Sequence, residues 1–208
     1  GDDDKLSTVK TVNGKKPVFF GLDAKNDFYA KNIKNSGDGK VLATLCFDNN
    51  NIDVEIPAIG TYMVTNALAA AAAGNLLGLT NEEIANGVAS YKTVGSRANV
   101  INTGKIKIID DCYNANPTSV RASLDTLSNL DGRKVAILGD MKELGSEELK
   151  LHFDTGVYAK SKDIGTVITV GELAKELAKG ADGKAFDTIE DAKSEILKTI
   201  KSGDVVLV

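Results

Sequence analysis

The stretch 108-IIDDCYNANPTS-119 decides the fold of this chain. It predicts a buried strand over 105–109, then a polar loop, then a helix that begins at Pro117. Asn116 followed by proline is the favoured order of an N-cap and a first helical residue. In α/β proteins, a loop between the carboxyl end of a strand and a helix N-terminus commonly binds anionic ligands. The stretch therefore predicts an α/β fold with a candidate ligand site in this loop.

Two adjacent carboxylates, Asp110 and Asp111, end the predicted strand. At a strand end such a pair can bind ribose hydroxyls or a magnesium ion. It also fits a purely structural role as the cap of a turn, and the pair by itself does not decide between the two. The neighbouring Cys112 is interpreted as a small buried side chain rather than a nucleophile.

The composition is that of an ordinary globular protein, with 42% hydrophobic and 26% charged residues in a chain of 208. The net charge of −4 argues against a nucleic acid partner, because a basic surface is missing. No apolar run reaches the length of a membrane span, and the N-terminus lacks a signal pattern. We therefore expect a cytoplasmic protein with no membrane insertion.

The pattern of the chain predicts two domains, 1–131 and 132–208. The first begins with short strands and a hairpin around 48–51, followed by an alanine-rich helix after Gly60 and a second helix with a capping box at Thr80. From Gly132 onwards strands and helices alternate to the end, which is typical of a small doubly wound, Rossmann-like domain. Ligands bind such domains at the carboxyl ends of the strands, which places Asp140 and Glu143 at a rim.

A second motif, 138-LGDMKELG-145, follows the first after a further helix and strand. In order and spacing the two motifs together resemble the Mur ligase family. The resemblance extends over the whole chain but covers only the back part of such an enzyme. It implies the end of the ATP-binding central domain, a mixed sheet with helices and a small antiparallel region, followed by most of a Rossmann-like C-terminal domain.

The activity that this resemblance implies is that of an ATP-dependent carboxylate–amine ligase. Among Mur ligases, the match is to those that join D-alanyl-D-alanine to UDP-N-acetylmuramoyl-tripeptide in peptidoglycan precursor synthesis. Such an enzyme phosphorylates the terminal carboxylate of the tripeptide with ATP and Mg²⁺, and the amine of D-alanyl-D-alanine then attacks the acyl phosphate. We expect these ligands as partners, no nucleic acid, and a monomer.

The resemblance also implies particular nucleotide contacts. Asn66 would approach the adenine, Arg97 the phosphate oxygens and Asp111 the ribose, while three neighbours would line the nucleotide edge: Asp110, Tyr113 and Asn114. The family pattern around Asn66 is only partly present, since Tyr62 and Met63 replace a His and an Asn. On position alone, Asn66 also fits a polar helix end and Arg97 a solvated loop residue.

Four residues would face the peptide substrates by the same resemblance: Asn116, Asp140, Glu143 and His152. His152 is the single histidine of the chain. A lone histidine on a helix is more often packed or solvated than catalytic, so the structural interpretation stays open beside the functional one.

No phosphate loop of the form Gly-x-x-x-x-Gly-Lys-Ser/Thr occurs in the sequence. In the family that loop and the metal ligands precede the part that this chain resembles, and the chain stops on an apolar strand at Val208. We therefore expect a fragment that has no ligase activity alone and binds ATP with a Kd on the order of millimolar or weaker. The segment Gly1–Lys5 fits either native sequence or the remnant of a cleavable tag. The alternative function is a non-catalytic nucleotide or nucleotide-sugar binding module.

Overall fold

The computed structural model describes residues 1–36, 39–93 and 95–208. The chain forms two compact units, Gly1–Lys92 and Thr93–Val208. None of the helices within the described ranges is both long enough and apolar enough to cross a membrane.

Among its described residues, the first unit contains one sheet, a short 3-10 helix at Leu6–Thr8 and two α-helices. Its elements in chain order are β1 (Phe20–Gly21), β2 (Phe28–Asn35), β3 (Val41–Phe47), β4 (Asn50–Ile56), α1 (Met63–Leu76) and α2 (Asn81–Ala89). The strands pair in sequence order, β1 with β2 in parallel and the other neighbours antiparallel. The predicted hairpin is present, and it turns through Asp48 and Asn49 alone, both with positive φ. Asp and Asn tolerate that conformation better than most residues, which explains the tight turn.

Apolar residues of α1 and of the sheet make the core of this unit. Val64, Leu68 and Ala71 of α1 are buried in one cluster with Leu45 and Val54 of the sheet. The small side chains of the alanine-rich helix let it lie close to the strands. Helix α2 begins with the predicted capping box, in which Thr80 and Glu83 exchange side-chain and main-chain hydrogen bonds.

The second unit is built on a six-stranded sheet in the order β5-β6-β10-β7-β8-β9. Its elements are β5 (Asn99–Asn102), β6 (Lys107–Asp110), α3 (Pro117–Ser128), β7 (Arg133–Gly139), α4 (Glu148–Ser161), β8 (Thr166–Val170), α5 (Ala174–Ala181), β9 (Lys184–Phe186), α6 (Ile189–Thr199) and β10 (Asp204–Leu207). All neighbouring strands are parallel except β5 and β6. The chain advances from β6 through β9 and then returns to place β10 between β6 and β7. Because crossovers of this kind are right-handed, the reversal puts α6 on the face opposite α3, α4 and α5.

Helices α4 and α5 touch through glycines. A Cβ on Gly156 would lie 2.0 Å from the carbonyl oxygen of Leu177, and one on Gly180 would lie 2.2 Å from that of Phe153. Only glycine permits this approach, so a larger side chain at either position would force the two helices apart.

The domain boundary predicted after residue 131 differs from the division in the structure. Residues 93–131 lie in the second unit, because β6 pairs with the last strand of the chain, with Ile108 opposite Val206. Strand β10 is thus held between a strand assigned to the first predicted domain and one assigned to the second. Local sequence patterns do not report such a pairing between remote segments. The predicted mixed α/β architecture with a doubly wound second part is confirmed.

Candidate functional site

A cavity of about 460 Å³ opens in the second unit at the carboxyl ends of β6, β10 and β7. Its walls come from the loops that follow β6 and β7, the first turns of α3 and the end of β10. Polar and charged groups on these walls include Asp111, Tyr113, Asn114, Asp140, Lys142 and Glu143, and Ser119 and Ser123 of α3 also line the cavity. A doubly wound sheet binds ligands where its strand order reverses, and β10 marks that point here.

The Asp111 carboxylate is half-buried in the cavity wall and holds two neighbouring segments. Its Oδ1 accepts a hydrogen bond from the Ala98 N–H at 2.9 Å, and its Oδ2 accepts one from the Ser123 hydroxyl. These bonds fix the loop before β5 and helix α3 relative to the end of β6. A carboxylate has about four lone-pair positions, so Asp111 retains the capacity to accept a ligand hydroxyl.

Asp110 is not among the residues that line the cavity, because successive side chains of a strand point to opposite faces. Its Oδ1 instead lies 3.2 Å from Sγ of Cys112, which donates to it. This hydrogen bond first, and partial burial second, raise the pKa of the Cys112 thiol. The thiol is exposed, so the prediction of a buried cysteine is wrong, but a raised pKa keeps it protonated and weakens it as a nucleophile.

Arg97 lies beside Tyr113. The guanidinium carbon is 4.0 Å from the centre of the Tyr113 ring, a cation–π contact, and the Tyr113 N–H donates to the carbonyl of Ser96 at 3.1 Å. The same loop carries Ala98 in the left-handed region, with φ of 52°, and Asp111 accepts from its N–H. The structure therefore brings Arg97 to a side chain of the cavity wall, through a loop that Asp111 holds.

The two asparagines after Tyr113 differ in their placement. Asn114 is exposed and lines the cavity. Asn116 does not line it and caps α3 instead: its side chain accepts from the Ser119 N–H at 2.9 Å, and the Ser119 hydroxyl accepts from its N–H at 3.1 Å. The capping role predicted for Asn116 is confirmed, and its predicted substrate contact has no geometric support in this unit.

The loop after β7 supplies the opposite wall. Oδ1 of Asp140 accepts from the Ala174 N–H at the start of α5 at 2.8 Å. The carboxylate lies against the backbone of Gly171, where a Cβ would be 2.3 Å from that oxygen. Lys142 and Glu143 follow on the wall, and both are exposed. Sequence reasoning missed Lys142, because its spacing does not distinguish it from any surface lysine.

His152 is fully buried in α4, with an exposed fraction of 0%. Its Nδ1 lies 2.7 Å from the carbonyl of Glu148, and its Nε2 accepts from the Met141 N–H at 2.9 Å. Both ring nitrogens are thus satisfied inside the protein, and the residue does not line the cavity. The predicted direct contact of His152 with a substrate is corrected, because the side chain turns to the core behind the loop.

Asn66 belongs to the first unit and lies near the start of α1. Its side chain is exposed, and its Nδ2 is 3.3 Å from Sδ of Met63. Its role towards adenine stays a prediction.

The charge on the cavity wall comes from three carboxylates and one ammonium group, Asp111, Asp140, Glu143 and Lys142. Such a wall suits ligands that offer hydroxyl or ammonium donors together with one anionic group. Across the part of the chain that the structure describes, no group of three or more His, Cys, Asp or Glu side chains is arranged to hold a metal ion.

Comparison with known proteins defines the class. Residues 96–208 match the Mur ligase glutamate ligase domain, and residues 1–74 match the Mur ligase middle domain. The chain therefore belongs to the Mur ligase family, as its two motifs predicted. The match to the glutamate ligase domain begins at residue 96, close to the structural division between Lys92 and Thr93.

Within that family the chain is similar to UDP-N-acetylmuramoyl-tripeptide--D-alanyl-D-alanine ligases. It is 33% identical to the enzyme of Bacillus subtilis, over 90% of this chain and 43% of that protein. It is 35% identical to the enzyme of Escherichia coli, over 85% of this chain and 39% of that protein. The chain thus spans about two fifths of the length of these relatives.

Solved structures of MurF have the same fold. MurF from Thermotoga maritima in complex with ADP superimposes with a TM-score of 0.84 and 26% identity, over 99% of this chain and 47% of that one. MurF from Acinetobacter baumannii gives a TM-score of 0.83 and 30% identity, over 90% of this chain and 42% of that one.

Proposed function

We propose that this chain forms part of an ATP-dependent ligase that joins D-alanyl-D-alanine to UDP-N-acetylmuramoyl-tripeptide. The observation that carries the proposal is the cavity at the carboxyl ends of β6, β10 and β7, where the loops of both sequence motifs meet. The names of the similar enzymes supply the reaction, and the family supplies its dependence on ATP.

The first motif offers the nucleotide groups. Asp111 has lone pairs left for ribose hydroxyls, and Tyr113 and Asn114 form the adjoining wall. Arg97, stacked on Tyr113, carries a planar fork of donors suited to phosphate oxygens. Asn66, in the first unit, is kept as a separate candidate for an adenine contact. An ADP complex of a similar protein supports a nucleotide as the ligand. When bound, ATP supplies the phosphoryl group that activates the carboxylate, and Mg²⁺ neutralises part of its charge.

The second motif offers groups for the dipeptide. D-Alanyl-D-alanine carries an ammonium group and a carboxylate at opposite ends. Asp140 and Glu143 attract the ammonium group, and Lys142 attracts the carboxylate. These residues bind and orient the amine, and orientation together with charge neutralisation lowers the barrier to attack on an activated carbonyl.

The proposed setting follows from the substrates. ATP and a UDP-linked peptide are cytoplasmic metabolites, so we place the reaction in the cytoplasm, in peptidoglycan precursor synthesis. In this proposal the chain acts as a monomer. It has no nucleic acid partner, in keeping with its net charge of −4.

A ligase assay on the complete product of the gene that encodes this chain tests the proposal. We expect phosphate release that requires ATP, Mg²⁺, the UDP-linked tripeptide and D-alanyl-D-alanine together, and none from the 208-residue chain alone. Asp111→Ala in the complete product should lower kcat/KM roughly a hundredfold, as expected when a group that orients the nucleotide is lost. Phosphate release that does not depend on the dipeptide would refute the proposed reaction.

The second candidate is a nucleotide or nucleotide-sugar binding module without turnover. The sequence favours it at one point, because it contains no phosphate loop. Calorimetry with ATP distinguishes the two. A Kd on the order of millimolar or weaker fits a ligase part, whereas micromolar binding by the 208-residue chain, without turnover by the complete product, fits a binding module.

A further inference from the structure

Among the residues that the structure describes, His152 is the largest polar side chain that is fully buried, and it does not line the cavity. A buried imidazole is retained at a cost unless both nitrogens find partners. Here both do, and one partner is the main chain of the loop that carries Lys142 and Glu143.

The hydrogen bonds of His152 define its tautomer. The carbonyl of Glu148 is only an acceptor, so Nδ1 carries the hydrogen and donates to it over 2.7 Å. Nε2 is then unprotonated and accepts from the Met141 N–H over 2.9 Å. The imidazole thus links the first turn of α4 to the loop after β7.

Two further contacts hold the same loop. The Met141 side chain is fully buried, and the preceding carboxylate, Asp140, accepts from the Ala174 N–H. Immediately after these anchors the backbone takes an unusual course, with Glu143 at φ of 62° and Gly145 at φ of 64°. A residue such as Glu143 adopts a left-handed conformation only when its surroundings impose it.

We propose that His152 is a positioning residue for the amine substrate: its Nε2 holds the Met141 N–H and thereby sets Lys142 and Glu143 on the cavity wall. The identity of the ligand, a dipeptide with an ammonium group and a free carboxylate, rests on the proposed function. The control of the loop by His152 is independent of that function. Without the acceptor, the Met141 N–H loses its partner and the loop samples other conformations.

Three variants test this role. His152→Leu removes the acceptor while keeping an apolar side chain, and His152→Gln restores an amide oxygen that can accept. Thr155→Val is the matched control, because Thr155 is fully buried on the same helix and its hydroxyl bonds only to the carbonyl of Leu151.

Amide hydrogen exchange in the 208-residue chain is the first measurement. We expect the Met141 amide to exchange roughly tenfold faster in His152→Leu, with partial recovery in His152→Gln and no change in Thr155→Val. Nitrogen NMR of the unsubstituted chain should show the hydrogen on Nδ1 of His152. Either of two results overturns the proposal. The first is a hydrogen on Nε2 in the unsubstituted chain, a result that does not depend on the folding of any variant. The second is the same exchange rate of the Met141 amide in the unsubstituted chain and in the folded variants.

Steady-state kinetics of the complete gene product is the second measurement. His152→Leu should raise the KM for D-alanyl-D-alanine about tenfold and leave the KM for ATP unchanged, with recovery in His152→Gln. An equal rise in both KM values would indicate general destabilisation and contradict a positioning role. If the complete product shows no ligase activity, the proposed function fails, while the exchange data still decide whether His152 controls the loop.

Discussion

The two ends of the parallel strands in the second unit use carboxylates in different ways. At the amino end, Asp204 opens β10 and is 2% exposed; its oxygens accept from the Arg133 guanidinium at 2.8 and 2.6 Å and from the Lys201 N–H at 2.7 Å. At the carboxyl end, Asp111 and Asp140 accept main-chain N–H groups and remain on the wall of a cavity. Within the described residues, neither of these two forms an ion pair. Asp204 is thus bound within an internal ion pair, whereas Asp111 and Asp140 keep lone pairs at a cavity, where a ligand could reach them.

The largest effect on stability should come from the amino end. Asp204→Ala removes a buried acceptor of three hydrogen bonds and should lower the free energy of unfolding by about 3 kcal/mol. Urea denaturation measures this. The control is Glu172→Ala, which breaks an exposed pair with Lys175 and should cost less than about 0.5 kcal/mol. Equal losses in the two variants would remove the distinction between buried and open carboxylates.

Acid should weaken the same contact. The hydrogen bond from Arg133 holds the pKa of the Asp204 carboxyl below its ordinary value. A group whose folded-state pKa is lowered stabilises the protein fully above its unfolded pKa of about 4, and this contribution is lost as the pH falls through the lower folded value. The difference in unfolding free energy between the natural chain and Asp204→Asn should therefore be constant above about pH 5 and shrink below pH 4. A difference that does not change with pH would show that the carboxylate charge is unimportant.

Smaller losses of stability are expected at the carboxyl end. Asp111→Ala should lower the unfolding free energy by about 2 kcal/mol, because the Ala98 N–H and the Ser123 hydroxyl both lose an acceptor. Ser123→Ala removes one of these bonds, should cost about 1 kcal/mol, and leaves the carboxylate in place. Nucleotide titration followed by NMR should then show weaker binding in Asp111→Ala than in Ser123→Ala. Weaker nucleotide binding in Ser123→Ala than in Asp111→Ala would indicate that Ser123, rather than Asp111, contacts the nucleotide.

Arg97→Ala should affect stability less than either cavity variant, by about 0.5 kcal/mol, since the cation–π contact with Tyr113 is exposed. Its effect on nucleotide affinity should be larger than its effect on stability, because a guanidinium can bind phosphate oxygens with two donors. Arg97→Lys should recover little of that affinity. Full recovery by lysine would mean that charge alone, rather than the planar fork, is what the ligand requires.

Features that depend on a few neighbouring residues were predictable from the sequence. The caps at Thr80 and Asn116 form as expected, because their partners lie three residues away. Strand β8, one of the strands predicted to alternate with helices after Gly132, forms over a continuous run of β-branched residues, Thr166–Val170. The family followed from two motifs and their spacing.

Other features were beyond local patterns. Of the short strands predicted at the start of the chain, β1 contains only Phe20–Gly21, which pair with Phe28 and Tyr29 of β2. The histidine expected at the substrate lies behind the loop instead. The spacing of His152 from the second motif is the same whether the imidazole points to the cavity or to the core, so only the packing of the folded chain distinguishes the two orientations.

The amino-acid sequence alone determined the positions of most helices and strands and the family of this protein, because periodicity, caps and motifs act over short distances along the chain. The tertiary structure alone decided that Asp111 rather than Asp110 faces the cavity and that β10 inserts between β6 and β7. These outcomes depend on pairings between segments far apart in the chain, whose register fixes which face of each strand is open.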